Sequence, residues 1–249
     1  MQSATEATAK AEADGPNEIS VLVATPVYGD FVARGFSYSQ SRAMTYFALT
    51  PCDSKKYVDL QMVWSSNLVE NRHKLVAYAL ERDFTHLLFW DPDIKAPADC
   101  IVRLVNHGLP IVAVNYPTKE ENCRPTAFID TDSYIGPCYT QAKHKGLQAV
   151  SSCGFGLMLI ETRVFAAMQT PLFQFTQDGP NKVATETEDV YFCRKAREAG
   201  FDVVIDHDLS KQVAHLGGWE YTCEHANIAQ AAKQHIYRGM PTSNPDVPL

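Results

Sequence analysis

The feature that most constrains this chain is a rhythm. Short apolar runs are cut off by turn-forming residues, and each is followed by a stretch with helical spacing. The runs are "ISVLVATPVYG", "YVDLQMVWSS", "THLLFWDPD" and "PIVAVNYP". Between them lie "SYSQSRAMTYFALTPC", "NLVENRHKLVAYALERD" and "APADCIVRLVNHG". In the second of these Leu68, Leu75, Val76, Ala79 and Leu80 recur at helical spacing. A strand that is apolar at almost every position must be covered on both faces, as in parallel sheets. Alternating strand and helix therefore predicts an α/β fold: a mostly parallel central sheet with helices on both faces.

The second half is less regular. "PTAFIDTD" and "LQAVSSCGFGLMLIETRVF" predict strands crossing the first layer, then a helix starting near Thr162. "TETEDVYFCRKAREAG" predicts a helix with Thr185 or Thr187 as its cap, closed by Gly200, and "FDVVIDHD" a strand. Residues 1–17 have no apolar periodicity and 241–249 are proline-rich, so one domain is expected over 18–240 between two tails. No apolar stretch approaches the ~20 residues that span a bilayer, and the start lacks the basic and apolar regions of a signal peptide. The net charge of -7 offers no footprint for nucleic acid. Seven dispersed cysteines without a C-x-x-C pair read as reduced thiols and not as a zinc site.

Four places stand out from such a core, three by their polar groups and one by its glycines. Asp91 and Asp93 flank Pro92 directly after the run "HLLFW", at the strand end where open α/β sheets bind ligands. On a turn, two carboxylates at this spacing can face one hard cation such as Mg²⁺ or Mn²⁺; a plain Asp-Pro turn is the alternative. Glu188 and Asp189 open the helix of "TETEDVYF", where acids favour the positive helix end and one can also serve as a base. His215 precedes Gly217 and Gly218 in "VAHLGGWEY", which places its imidazole on a flexible loop. Gly154 and Gly156 flank Phe155 where backbone comes close to a neighbour, without the G-x-G-x-x-G dinucleotide spacing.

In their order along the chain, "VLVATPVYG", "NLVENRHKLVAYAL", "HLLFWDPDI", "SCGFGLMLIETRVF", "ETEDVYFCRKAREAGFDV" and "VAHLG" resemble glycosyltransferases of the GT-A fold, closest in style to family 2 and its viral and bacterial relatives. The match runs from Val21 to Gly217, with a proline inside the D-x-D triplet and a short C-terminal region as departures. The resemblance implies a Rossmann-like sheet with a smaller acceptor-side mixed sheet. It implies metal binding by Asp93 directly and by His215, with Asp91 reaching the ribose or the metal through water, and Mn²⁺ or Mg²⁺ as cofactor. Thr25, Pro26, Val27 and Tyr28 would hold the nucleotide with Arg72 and Asp91. Gly154, Phe155 and Gly156 would line the sugar pocket, and Trp219 would stack on the donor. Asp189, with Glu188 beside it, would be the base of a single inverting displacement. The donor would be a nucleotide sugar, UDP favoured over GDP. The acceptor stays open among a glycan, a protein side chain, a lipid carrier and a hydroxylated DNA base. A cytoplasmic location follows, the host cytoplasm for a viral chain. A nucleotidyltransferase or sugar pyrophosphorylase is the alternative enzyme, though "ATPVYGDFVARG" lacks the basic glycine-rich phosphate loop; a catalytically silent binding module is the other.

Overall fold

The computed structural model describes residues 18–131, 134–178 and 183–239. The tails expected at 1–17 and 241–249 lie outside the described residues. In chain order the strands are β1 (Glu18–Val27), β2 (Lys55–Trp64), β3 (His86–Trp90), β4 (Ile94–Lys95), β5 (Ile111–Ala113), β6 (Phe128–Asp130), β7 (Ile135–Pro137), β8 (Leu147–Val150), β9 (Leu157–Glu161), β10 (Thr176–Asp178), β11 (Val183–Glu186), β12 (Val203–Asp206), β13 (Ala214–Leu216) and β14 (Glu220–Tyr221). The helices are α1 (Arg34–Leu49), α2 (Leu68–Glu81), α3 (Cys100–Asn106), α4 (Thr162–Ala167), α5 (Glu188–Glu198), α6 (His207–Ser210) and α7 (Cys223–Gly239).

Seven strands form the central sheet in the order β2-β1-β3-β9-β5-β12-β8. β1 pairs in parallel with β2 and β3, and β5 with β12, while β9 and β8 run antiparallel to their neighbours. The sheet is thus mostly parallel in direction, as the strand and helix rhythm requires. The smaller sheet expected beside it is present as three small antiparallel ones, β14-β13-β4, β10-β11 and β6-β7.

The alternation of side chains explains why the strand sequences look apolar throughout. Leu22, Leu87, Phe89, Met158 and Ile160 enter the core on one face, packed under α2, α4 and α5 through Leu75, Val164 and Phe192. Val21, Val23, Leu88, Trp90, Leu157 and Leu159 enter the other, packed under α1, α3 and α6 through Phe36, Phe47, Leu104 and Leu209. Each large side chain so covered contributes ~1.5–3 kcal/mol before entropy is counted. The same burial corrects one expectation. β9 does not cross the first layer but lies between β3 and β5 within it, because Leu157, Met158, Leu159 and Ile160 are all buried and need cover on both faces.

Candidate functional site

The apolar strand β3 ends at Trp90, whose indole Nε1 donates to the Ile94 carbonyl at 2.8 Å and closes a tight turn over Asp91, Pro92 and Asp93. Backbone bonds fix this turn from several directions. Asp91 N donates to Gly156 O at 3.0 Å, Ala33 N to Pro92 O at 3.3 Å, and Leu216 N to Asp93 O at 2.7 Å. The end of β3, the start of α1, the turn before β9 and β13 therefore meet at one place.

Arg72 lies beneath that place. It is 2% exposed on α2, its Nε contacts Glu188 Oε1 at 3.3 Å and its Nη2 lies 3.7 Å from Asp91 Oδ1. Its guanidinium is also 4.6 Å from the Phe155 ring centroid and 5.2 Å from that of Phe89. Sequence spacing put Leu80 on the buried stripe of α2, yet Leu80 is exposed and Asn71 and Arg72 are buried there instead. Two carboxylates share this one cation. Burial raises both Asp91 and Glu188 above the usual carboxylate range against the pull of Arg72. Arg72 Nη1 and Asp91 Oδ1 are buried without a hydrogen-bond partner. Such orphaned polar atoms are expensive, and two of the three among the described residues lie side by side here, the third being Asn227 Oδ1 on α7.

Asp93, two residues on, has the opposite character. Its Oδ2 accepts from the Lys119 ammonium and lies 3.3 Å from His215 Nε2. Burial alone would raise its pKa, but hydrogen bonds from His215 and Lys119 outweigh burial and hold it below the usual value. His215 is not on a loop: it is the middle residue of β13, paired to Ile94 and Tyr221, with Nδ1 2.9 Å from Pro117 O. With Nδ1 donating to Pro117 O, Nε2 faces Asp93 Oδ2 and donates to it in the imidazolium form. A carboxylate and an imidazole suit a divalent cation in donor type and proximity. Asp91 is turned toward Arg72 instead, and no three His, Cys, Asp or Glu groups converge on a metal position among the described residues.

The remaining predicted residues divide clearly. Thr25 is fully buried and its Oγ1 accepts from Gln40 Nε2 at 3.1 Å, so its hydroxyl faces the core; Pro26 and Val27 are buried in β1 as well. Tyr28, just past the strand, is 61% exposed. Phe155 does not line a pocket, being packed among Phe89, Phe173 and Phe192. Gly154 and Gly156 lie against Tyr116, where an added Cβ would come within 2.5 Å of its ring or hydroxyl. Tyr116 in turn accepts from Gly156 N at 3.0 Å and lies edge-on to His215. Trp219 is exposed, with its ring 4.9 Å from that of Tyr221.

α5 begins after Thr187, whose hydroxyl donates to Asp189 Oδ1 rather than capping a backbone amide. Val190 N donates to the same Oδ1 at 2.8 Å. Burial raises Asp91 and Tyr116, and the nearby Asp189 charge adds a smaller push to both. Glu188 is buried against Arg72. The sequence reading missed Lys119 and Tyr116; "NYPTKEEN" carries no motif, and it meets the site through the contact of His215 Nδ1 with Pro117 O and of Lys119 with Asp93.

No protein-family model matches the sequence, and no curated protein matches it. Among solved structures, A197 from STIV matches with a TM-score of 0.50 and 15% identity over 83% of this chain and 91% of that one. The fold is GT-A-like. UDP-glucose pyrophosphorylase complexed with UDP-glucose matches with a TM-score of 0.42 and 7% identity, covering 87% of this chain and 99% of that one. No helix among the described residues is long and apolar enough to cross a membrane.

Proposed function

We propose that this chain is a glycosyltransferase that moves a sugar from a nucleotide sugar, a UDP-sugar before a GDP-sugar, to an acceptor hydroxyl with inversion. The observation that carries the reading is the grouping of Asp91, Asp93, Lys119 and His215 at the carboxyl end of β3, over the incompletely bonded Arg72. That end of the sheet is where such folds take a ligand.

The roles follow from the contacts. Asp91 accepts from a ribose hydroxyl, which supplies the donor that the buried pair lacks. Tyr28 meets the base. The Lys119 ammonium, already on Asp93, faces the charge that develops on the leaving diphosphate. A divalent cation, Mn²⁺ or Mg²⁺, held by Asp93 and His215 would add Lewis-acid neutralisation there. Asp189 takes the proton from the acceptor hydroxyl: both of its contacts fall on Oδ1, leaving Oδ2 for the acceptor. The acceptor oxygen then bonds to the anomeric carbon as the carbon–phosphate oxygen bond breaks, and the electron pair leaves with the nucleoside diphosphate. Glu188 holds Arg72 in place.

Isothermal titration of UDP and GDP, with and without Mn²⁺, on the wild type and Asp93→Ala tests this. Binding of one nucleotide, strengthened by Mn²⁺ in the wild type and not in the variant, is expected. A folded wild type that binds neither nucleotide overturns the reading.

A further inference from the structure

α1 has two faces. Phe36, Gln40, Ala43 and Phe47 form the buried one. The opposite face carries Arg34, Tyr38, Arg42, Tyr46 and Leu49, a stripe at helical spacing along ~23 Å of helix. This stripe lines a groove of about 1050 Å³ that also takes in Val32 and Ala98. One end of the groove lies against the Asp91–Asp93 turn, through the bond from Ala33 N to Pro92 O.

Three properties of the groove define an occupant. First, no acidic residue lines it in a chain of net charge -7. Arg72, Arg103, Arg124, Arg163, Arg194 and Arg197 all pair with carboxylates, whereas Arg34, Arg42 and Arg82 have no carboxylate partner among the described residues, and the first two of these three lie together in this groove. Second, Tyr38 and Tyr46 are exposed at 64% and 47%, and Arg42 holds the Tyr38 hydroxyl at 3.1 Å and lies over its ring. Third, the hydroxyls beside the stripe have fixed polarity. Ser41 donates to Ser37 O, Thr45 to Ser41 O and Thr50 to Tyr46 O, at 2.9, 2.9 and 2.7 Å. Their protons are used within the helix, so they offer lone pairs outward.

We infer that this groove binds an acidic, carboxylate-bearing glycan as the acceptor strand, an inference that rests on the glycosyltransferase reading. Sugar hydroxyls are the donors that the outward lone pairs require. Sugar rings stack on the two tyrosines, and carboxylates meet Arg34 and Arg42 in bidentate pairs. A phosphodiester backbone brings acceptors to a row of acceptors, and a lipid tail leaves that row unpaired.

The test titrates short oligogalacturonate and hyaluronan oligosaccharides, a methyl-esterified oligogalacturonate and an oligodeoxythymidylate onto the full chain, with UDP titrated separately. At least one acidic oligosaccharide is expected to bind. Arg34→Gln with Arg42→Gln, and separately Tyr38→Ala, should weaken it by about tenfold, with UDP affinity and melting temperature unchanged. Esterification should weaken it as much. UDP binding without binding of either acidic oligosaccharide overturns this inference and leaves the enzyme reading standing. Unaltered affinity in the variants, or tighter binding of the oligodeoxythymidylate, also overturns it. Binding in the groove by a protein that takes no nucleotide supports the glycan site and removes its role as an acceptor site.

Discussion

Replacing Arg72 by Met keeps most of the side-chain volume and removes the only cation among the described residues that contacts both Asp91 and Glu188. Arg72 and Glu188 are 2% and 6% exposed, so solvent does little to compensate. Removing one partner of a buried ion pair costs ~3–5 kcal/mol, because the charge left behind stays desolvated. Both carboxylates already have raised pKa values from burial, and losing Arg72 raises them further. An acid whose folded pKa lies above its unfolded one favours the native state while protonated and loses that contribution as pH rises through the interval between them. The deficit of Arg72→Met should therefore be largest near pH 7 and shrink below the unfolded carboxylate range of about 4. What persists there is lost contact with Phe89 and Phe155, ~0.5–2 kcal/mol. Urea unfolding of wild type and variant across this pH range measures it, and adding Glu188→Gln should restore part of the loss at pH 7. A deficit below ~1 kcal/mol at pH 7, or one that does not change with pH, refutes the reasoning.

Three further outcomes are expected. Gly156→Ala drives a Cβ into the Tyr116 ring and should lower stability by ~1–3 kcal/mol, recovered in part by Tyr116→Leu; thermal melts of the three proteins decide this. Asp189→Asn should reduce transfer by ~10²–10⁴-fold while nucleotide affinity is unchanged, and a parallel loss of affinity would remove the base assignment. Of the seven cysteines only Cys52 is exposed, so a thiol reagent should label one group rapidly in the native protein and the rest on denaturation. Burial pushes Cys193 and Cys223 up to about 12, which keeps them as unreactive thiols even once a reagent reaches them slowly.

The sheet was legible because its strands are apolar on both faces, a signal that survives without any knowledge of partners. Strand order was not: "GLMLIE" is buried whether it crosses the sheet or joins it, and only pairing with both β3 and β5 separates the two. Asp91, Asp93 and His215 were readable as a set from chain order; the structure sets His215 against Asp93 and turns Asp91 toward Arg72. Arg72 was ambiguous for a physical reason. A helical arginine beside Glu70 and Lys74 reads as a solvated face, and its burial depends on Glu188, 116 residues away. Lys119 had no local signal at all. The tyrosine and arginine stripe of α1 was hidden differently: "SYSQSRAMTYFAL" reads correctly as a helix, yet one amphipathic helix does not say which polar residues will lack partners.

Asp91 and Asp93 respond to pH in opposite senses, although only Pro92 separates them. For Asp91, burial dominates and the like charge of Asp93 adds to it, so this carboxylate weakens the fold as pH rises through its titration. For Asp93, the bonds from His215 and Lys119 dominate. Its contribution to stability is present above the ordinary carboxylate range and is lost as pH falls through its depressed value. Neither difference comes from the triplet itself; it comes from which face of the turn each side chain occupies, one over the Arg72 and phenylalanine layer, the other toward β13 and Lys119. A carboxylate that destabilises its own fold is relieved by any ligand that donates a hydrogen bond to it, and the relief adds to the affinity for that ligand. A carboxylate already saturated with cationic partners gains little from a neutral donor and most from a cation or a cation–anion pair. Under the proposed function the two aspartates would therefore take different parts of one molecule, a hydroxyl-bearing part at Asp91 and a charged part at Asp93, as the ribose and diphosphate of a nucleotide sugar present them.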